Sequence, residues 1–253
     1  MTAVDVTDAL ADQHAELARL LVAIDDEGAQ RTSRCEGWTV ADVVLHLAQS
    51  DELAIASITG EVPENSGGMS LGIDVNVTST DEWAEASVAQ QRGTPWPVIR
   101  ERWERSAARL VDVARRADPH ERVTWVVGKL SVRSLVTTRL AEGWIHAGDV
   151  AHAFGRAPEA SDRLWHIARL AWRTLPYAFA SSGRDAPAPV AFELRGPGGE
   201  PWVFTDGNAE NLINGDALEL CLVAARRVEP AATSLQATGP DAAAVLDLVR
   251  TYA

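Results

Sequence analysis

Apolar side chains recur every three or four residues along the first part of the chain, the spacing of one face of an α-helix. The first such series contains Leu10, Ala11, Leu17, Leu20, Leu21 and Ile24. It predicts a long amphipathic helix over residues 4–29. Gly37 then breaks the chain, and Thr39 with Asp42 resembles a capping box in which Asp replaces the usual Glu or Gln. A second helix is therefore predicted over residues 40–58.

The same spacing continues over residues 81–91 and 96–116, with Pro95 and Pro97 where the second stretch begins. Because proline interrupts a helix, this pattern predicts a third helix that is broken. Residues 122–127 have short β character, and a fourth helix is predicted from Ser131 or Arg133 to Phe154, closed by a following glycine. Four long helices, one of them broken, predict a four-helix bundle.

The last third of the chain changes to short elements of both kinds. It predicts a helix over 162–181, strands over 189–194 and 201–204, a helix over 216–228, a strand over 233–238 and a helix over 240–250. The predicted class is α+β, an N-terminal four-helix bundle followed by a small α+β domain. The predicted domains are residues 1–157 and residues 158–253.

A long segment of residues 60–80 separates the second and third predicted helices and is rich in Gly, Pro and Asn. Loops of this length are often binding segments or lids. Four apolar residues in it could cover an apolar ligand: Met69, Leu71, Ile73 and Val75.

The composition of the chain indicates which classes of partner it could bind. The chain has 253 residues, 46% of them hydrophobic, and a formal net charge of −13. This charge repels phosphate, so it argues against nucleic acid and anionic membranes and favours a small-molecule partner. No apolar run approaches the roughly 20 residues that span a bilayer, and the start of the chain lacks the basic residues of a signal peptide. We therefore expect a cytoplasmic protein, a monomer or weak homodimer.

Candidate chemistry is concentrated in two predicted helices. Glu142 and His146 lie four residues apart on the fourth helix and share a face, and His46 points into the bundle from the second helix. If the two helices pack side by side, the three residues form a divalent-metal site that leaves coordination positions open. Such a set suits catalytic zinc, and nickel or iron(II) also accept these ligands. Asp149 could orient one of the ligands from behind.

The spacing alone leaves a second interpretation open. Glu142 could pair with Arg139 or Arg133 in an inter-helix network, with the histidines as hydrogen-bonded core residues. Cys35 similarly has two readings, as a nucleophile or fourth ligand at a helix N-terminus and as a packing residue before Trp38.

Longer motifs surround these residues. Those in the predicted bundle are Cys35-Glu-Gly-Trp38-Thr-Val-Ala-Asp-Val-Val-Leu-His46-Leu-Ala and Arg139-Leu-Ala-Glu142-Gly-Trp-Ile-His146-Ala-Gly-Asp149-Val-Ala. Those in the last third are Phe192-Glu-Leu-Arg-Gly-Pro-Gly-Gly-Glu-Pro-Trp202, Asn214-Gly-Asp-Ala-Leu-Glu-Leu-Cys221-Leu-Val and Ala237-Thr-Gly-Pro-Asp-Ala-Ala. Together they resemble the mycothiol-dependent maleylpyruvate isomerase and DinB-like superfamily, in its actinobacterial branch of metal-binding proteins. The resemblance implies a DinB-type bundle that carries zinc on His46, Glu142 and His146, and so favours the metal.

By the same resemblance, mycothiol is the expected co-substrate. The metal would lower the pKa of this thiol, and the thiolate would isomerise a cis double bond or be transferred to a small electrophile. Arg226, Arg227 and Arg139 are the candidate substrate-binding residues, although the first two could instead satisfy the C-terminal end of a helix. Two other functions remain open: a thiol-independent Lewis-acid lyase, hydrolase or cyclase of specialised metabolism, and a metal-dependent binding protein without turnover.

Overall fold

The computed structural model describes three stretches of the chain: residues 4–62, 80–126 and 128–251. They divide into two compact units, the first formed by residues 5–158 and the second by residues from 159 onward together with Val4. The α+β class predicted from the sequence is confirmed. The predicted functional domains, a metal-binding bundle over 1–157 and a C-terminal domain over 158–253, stay predictions.

The first unit is helical with one small hairpin. Its elements are α1 Val6–Leu21, α2 Asp26–Ala29, α3 Val40–Thr59, α4 Thr80–Gln91, α5 Trp96–Arg116, β1 Arg122–Trp125, β2 Gly128–Ser131 and α6 Val132–His152. Helix α3 packs against α5 and α6, and α1 packs against the same two helices. The four long helices therefore form the expected bundle, and the break between α4 and α5 lies where the prolines predict it.

Local signals fix where the two central helices begin. The Thr39 hydroxyl accepts a hydrogen bond from the backbone N–H of Asp42 at 3.2 Å, and the Asp42 carboxylate accepts one from the backbone N–H of Thr39 at 2.9 Å. This reciprocal pair is the predicted capping box at the start of α3. At the start of α6, the Ser131 hydroxyl accepts from the backbone N–H of Ser134 at 3.1 Å. Both helices therefore begin at defined residues, which sets the height at which their polar side chains face each other.

Large apolar side chains from all four long helices fill the bundle. Those with almost no exposure include Leu10, Leu17, Leu21, Leu45, Leu47, Ile99, Trp103, Leu110, Leu135 and Leu140. Each such side chain stabilises the fold by about 1.5–3 kcal/mol relative to an exposed one. Helix α3 is buried along most of its length, so several of its polar residues, among them His46 and Asp51, lie inside the bundle.

Two features of this unit differ from the prediction, and a third prediction falls on residues that the structure does not describe. The first helix ends at Leu21 rather than near residue 29, because the Asp25 carboxylate accepts from the backbone N–H of Gly28 at 2.8 Å and starts the separate helix α2. Gly128, with φ of 111°, begins the strand β2, which pairs with β1 and which the sequence did not predict. The predicted lid over 60–80 falls, for residues 63–79, outside the described residues.

The second unit combines helices with a four-stranded sheet. Its elements are α7 Leu164–Arg173, α8 Leu175–Ser181, β3 Val190–Arg195, β4 Pro201–Phe204, β5 Asn211–Asp216, α9 Ala217–Ala224, β6 Gln236–Thr238 and α10 Ala242–Leu248. The strand order is β4-β3-β5-β6, with β3 and β5 parallel and the outer pairs antiparallel. In the described stretches, every helix of either unit is too short or too polar to cross a membrane.

Two elements of the second unit correct the sequence prediction. The helix predicted over 162–181 is two helices, α7 and α8, which meet at Thr174 just before Pro176. Strand β5 was not predicted, because two Asn residues and a Gly interrupt its short apolar alternation. It nevertheless occupies a central place in the sheet, where Ile213 is fully buried.

Candidate metal centre

Packing of α3 against α6 brings His46, Glu142 and His146 together. The Glu142 Oε2 atom lies 3.6 Å from Nε2 of His46 and 3.4 Å from Nε2 of His146. One ligand atom from each of the three side chains lies within 4.8 Å of the other two. The turn-spaced pair on α6 and the single histidine on α3 therefore form one cluster of two imidazoles and one carboxylate.

Two separations between ligand atoms in this cluster are close to those around a tetrahedral divalent ion. An ion with bonds of about 2.1 Å separates neighbouring ligand atoms by about 3.4 Å, close to the observed carboxylate-to-imidazole separations. The His46 side chain is 9% exposed and that of Glu142 is 26% exposed. The His46 side chain is therefore the more buried of the two, and part of the Glu142 side chain is open to solvent.

Electrostatics couple the carboxylate to both histidines. Burial lowers the pKa of His46, and its hydrogen bond with Glu142 opposes this only in part. Burial alone would raise the pKa of Glu142, but hydrogen bonds with His146 and His46 and the positive charge of Arg139 hold it well below its usual value. Glu142 is therefore a carboxylate near neutral pH, the charge state that a metal ligand needs.

Asp149 supports His146 from the opposite side of the ring. Its Oδ2 atom lies 3.0 Å from Nδ1 of His146, and the aspartate is fully buried. Burial works to lower the pKa of His146, yet hydrogen bonds with Asp149, Cys35 and Glu142 raise it well above its usual value. Without a metal ion the ring therefore carries a proton on both nitrogens near neutral pH. A metal ion at Nε2 would displace one of these protons and leave Nδ1–H donating to Asp149, the orientation found when a carboxylate supports a metal-binding histidine.

Residues 10–151 match the family described as mycothiol maleylpyruvate isomerase N-terminal domain. The match spans more than half of the chain and includes every residue of the cluster. The chain belongs to this family.

Other similarities cover most of this mycothiol maleylpyruvate isomerase family member. The uncharacterized proteins Rv0036c and MT0041 of Mycobacterium tuberculosis are each 29% identical to it over 218 residues, which cover 86% of this chain and 83% of the relative. A crystal structure of the mycothiol-dependent maleylpyruvate isomerase matches with a TM-score of 0.62 and 20% identity, over 94% of this chain and 95% of that chain. A mutant of that enzyme gives 0.59 and 21%, over 90% and 93%. At these identities the two crystal structures show that the fold is shared.

The three arginines that were predicted to bind substrate make specific contacts within the protein. Arg139 lies one turn before Glu142, but its guanidinium pairs with Asp51 at 3.1 Å inside the bundle. The described ion pair of Arg139 is thus with Asp51, while its charge still acts on the pKa of Glu142. The network interpretation, which named Arg139 or Arg133, stays a prediction. Arg226 and Arg227 belong to the second unit, where they donate to the backbone carbonyls of residues 247 and 225, at 2.8 and 2.9 Å. Substrate binding by these three arginines stays a prediction.

Cys35 is the residue whose place the sequence left undecided. Its thiol donates to Oδ2 of Asp149 at 3.1 Å and lies 3.7 Å from Nδ1 of His146. The other cysteine, Cys221, is buried in the second unit, where burial raises the pKa of its thiol. Only the position of Cys35, just before the capped start of α3, hinted that it could reach the cluster.

Proposed function

We propose that this chain is a metal-dependent enzyme of the mycothiol maleylpyruvate isomerase family. His46, Glu142 and His146 would hold one divalent ion, with zinc as the expected metal and nickel or iron(II) as alternatives that accept the same donors. Mycothiol would be its thiol co-substrate, and the second substrate would be a small electrophile. Its expected cytoplasmic location and its state as a monomer or weak homodimer stay predictions.

The observation that carries this proposal is the meeting of three suitable donors from two packed helices. Both carboxylate-to-imidazole separations match those around a tetrahedral ion, and Glu142 is held as a carboxylate. A divalent ion bound there would supply thiolate near neutral pH by lowering the pKa of a bound thiol. Family membership makes mycothiol the thiol to test first.

The side chains around the ligands prepare the site. Asp149 accepts from Nδ1 of His146 and so fixes the direction of its Nε2 atom. The Trp38 ring lies with its centroid 5.2 Å from that of His46, and its indole N–H donates to Glu85 at 2.5 Å. This contact covers the His46 ring with an apolar surface, which limits access of water from that side.

The proposed reaction adds the thiol reversibly to a cis double bond of the substrate. Addition leaves a single bond about which the substrate can rotate, and loss of the same thiol restores the double bond in the trans form. No net oxidation or reduction occurs, and the thiol is recovered. With an epoxide as the electrophile, the thiolate would open the ring: the new C–S bond replaces one C–O bond, the resulting alkoxide takes the thiol's proton, and the thiol remains attached, which gives S-transfer.

Metal content tests the ligand set directly. We expect wild-type protein to bind one divalent ion per chain, and His46→Ala, Glu142→Ala and His146→Ala to bind close to none while keeping wild-type circular dichroism. His152→Ala is the matched control, because this histidine lies on the same helix but is exposed. Full metal content in all three ligand variants, measured by elemental analysis, would show that the ligand set is wrong.

Calorimetry with mycothiol then separates the possible functions. The thiol-dependent enzyme should bind mycothiol saturably when loaded with zinc, and this binding should be lost in His46→Ala. Turnover of an electrophile without added thiol would instead support Lewis-acid chemistry. Ligand binding without any chemical change would support the non-catalytic binding protein.

A further inference from the structure

Two hydrogen-bond donors converge on one carboxylate oxygen behind the candidate metal centre. Oδ2 of Asp149 lies 3.0 Å from Nδ1 of His146 and 3.1 Å from Sγ of Cys35. Asp149 is fully buried, so its oxygen depends on donors from the protein rather than from bulk water. The thiol therefore belongs to the same network as the histidine.

The thiol is presented to this oxygen by an ordered turn. The backbone N–H of Cys35 donates to the Ser33 hydroxyl at 3.1 Å, and the Cys35 carbonyl accepts from the backbone N–H of Trp38 at 3.1 Å. The backbone N–H and the hydroxyl of Ser33 both donate to the Trp38 carbonyl, each at 2.9 Å, across the turn. Because Thr39 caps α3 immediately afterwards, the turn is tied at both ends, and Sγ has a fixed position relative to α6.

We propose that Cys35 is a positioning residue for the metal centre. Its thiol holds the Asp149 carboxylate against Nδ1 of His146, and Asp149 in turn keeps Nε2 of His146 directed at Glu142. Neutral imidazole has one donor and one acceptor nitrogen, so a proton fixed on Nδ1 leaves Nε2 as the ligand atom. This inference rests on the proposed function, because it assigns Cys35 a role toward that same site.

Direct metal binding by Cys35 is the competing role. Cys35, His146 and Asp149 form a second group whose ligand atoms lie within 4.8 Å of one another. An ion bound there would have to take Nδ1 of His146, the nitrogen that faces Asp149. The first cluster uses Nε2 of the same ring and keeps the Asp149 hydrogen bond, so it satisfies more groups at once. The geometry therefore favours support by Cys35 over ligation.

Three substitutions test the role. Cys35→Ala and Cys35→Val remove the donor, and Val also fills the space of the thiol, so at least one donor-free variant should fold. Cys35→Ser keeps an O–H donor. Cys221→Ala is the matched control, because this buried cysteine lies in the second unit and its thiol contacts the carbonyl of Leu164 at 3.7 Å.

The primary measurement is the zinc dissociation constant, obtained by competition with a chromophoric chelator. Loss of a group that orients a ligand costs about 10–100-fold in metal affinity, so the donor-free variants should weaken zinc binding by at least about 10-fold. Cys35→Ser should recover most of that loss, and Cys221→Ala should match wild type. In the zinc-loaded protein, the Nδ1–H proton of His146 should exchange faster with solvent in the donor-free variants, as followed by NMR.

The outcomes separate this inference from the proposed function. Wild-type zinc binding with an unchanged dissociation constant in Cys35→Ala and Cys35→Val would overturn the positioning role alone. In the cobalt-substituted protein, a sulfur-to-cobalt charge-transfer band that disappears in Cys35→Ser would show ligation and also overturn it. Wild-type protein that binds no zinc would overturn both proposals.

Discussion

The buried ion pair between Asp51 and Arg139 joins the two helices that carry the candidate metal centre. Its Nε-to-Oδ1 distance is 3.1 Å, and both side chains are at most 3% exposed. Removal of one partner leaves the other charge buried without its counter-ion, which typically costs 3–5 kcal/mol, so we expect Asp51→Ala to lower the free energy of unfolding by about 4 kcal/mol. Arg139→Met should cost a similar amount, about 3 kcal/mol, because its own apolar chain partly replaces the arginine stem.

The double variant distinguishes an ion pair from two independent residues. With both charges gone, neither partner is left buried and uncompensated, so Asp51→Ala combined with Arg139→Met should cost about 3 kcal/mol less than the sum of the single changes. Glu101→Ala provides the control, because Glu101 pairs with Arg105 on the surface and both side chains are about two-thirds exposed. Such a surface pair contributes at most about 0.5 kcal/mol.

Urea unfolding of the metal-free proteins, followed by circular dichroism, measures the free energy of unfolding of all four variants. A loss of less than about 1 kcal/mol in Asp51→Ala, or additive losses in the double variant, would refute the reasoning. The result also bears on the predicted substrate role of Arg139. An arginine that neutralises Asp51 contributes to stability, and its loss should then lower the unfolding free energy even when no substrate is present.

Three further predictions concern pH and glycine. Burial lowers the pKa of His14 from its ordinary value of 6.5, so below that pH the unfolded chain binds the extra proton first. Wild type should therefore lose unfolding free energy relative to His14→Leu as pH falls from about 7 to 5, by at most about 1.4 kcal/mol per pH unit, whereas parallel pH profiles would contradict this. Gly143→Ala should raise the unfolding free energy by up to about 1 kcal/mol, because alanine favours the helix and its Cβ would meet Gln13 Cγ at an ordinary 3.6 Å. Gly239→Ala should destabilise, since φ is +123° there and a Cβ would meet a backbone oxygen of Glu210; equal melting temperatures for the two glycine variants would show that backbone geometry does not decide these effects.

Periodicity could predict the parts of the site that lie on helices. Glu142 and His146 share a face because they are one turn apart, and the capping box of Thr39 fixes where α3 begins and hence the level of His46. Packing of the whole bundle decides which helices become neighbours. The sequence alone could not predict that α3 and α6 lie side by side, so the site was predicted only for the case that they do. The structure brings the three residues together through the packing of α3 against α6.

Residues outside regular elements were less predictable, because their paths depend on contacts that no short pattern records. Cys35 reaches Asp149 through a turn held by Ser33 and Trp38, and its partner lies 114 positions along the chain. Strand β5 shows the same limitation in the second unit. Its residues have weak β character, and its place is set by pairing with β3 on one side and β6 on the other.

The imidazole ring of His146 links the candidate metal ligands to the residues that support them. Nε2 lies on the side of Glu142 and Nδ1 on the side of Asp149, so Nε2 could bind a metal ion only while the single proton of the neutral ring stays on Nδ1 and is donated to Asp149. Removal of the His146 ring deletes one of the three candidate metal ligands. Removal of the Cys35 thiol only loosens the Asp149 carboxylate, which orients that ring. Graded effects should follow: near-complete loss of metal in His146→Ala and a partial loss of affinity in Cys35→Ala. Equal losses in the two variants would mean that the thiol acts on the metal itself and not through Asp149.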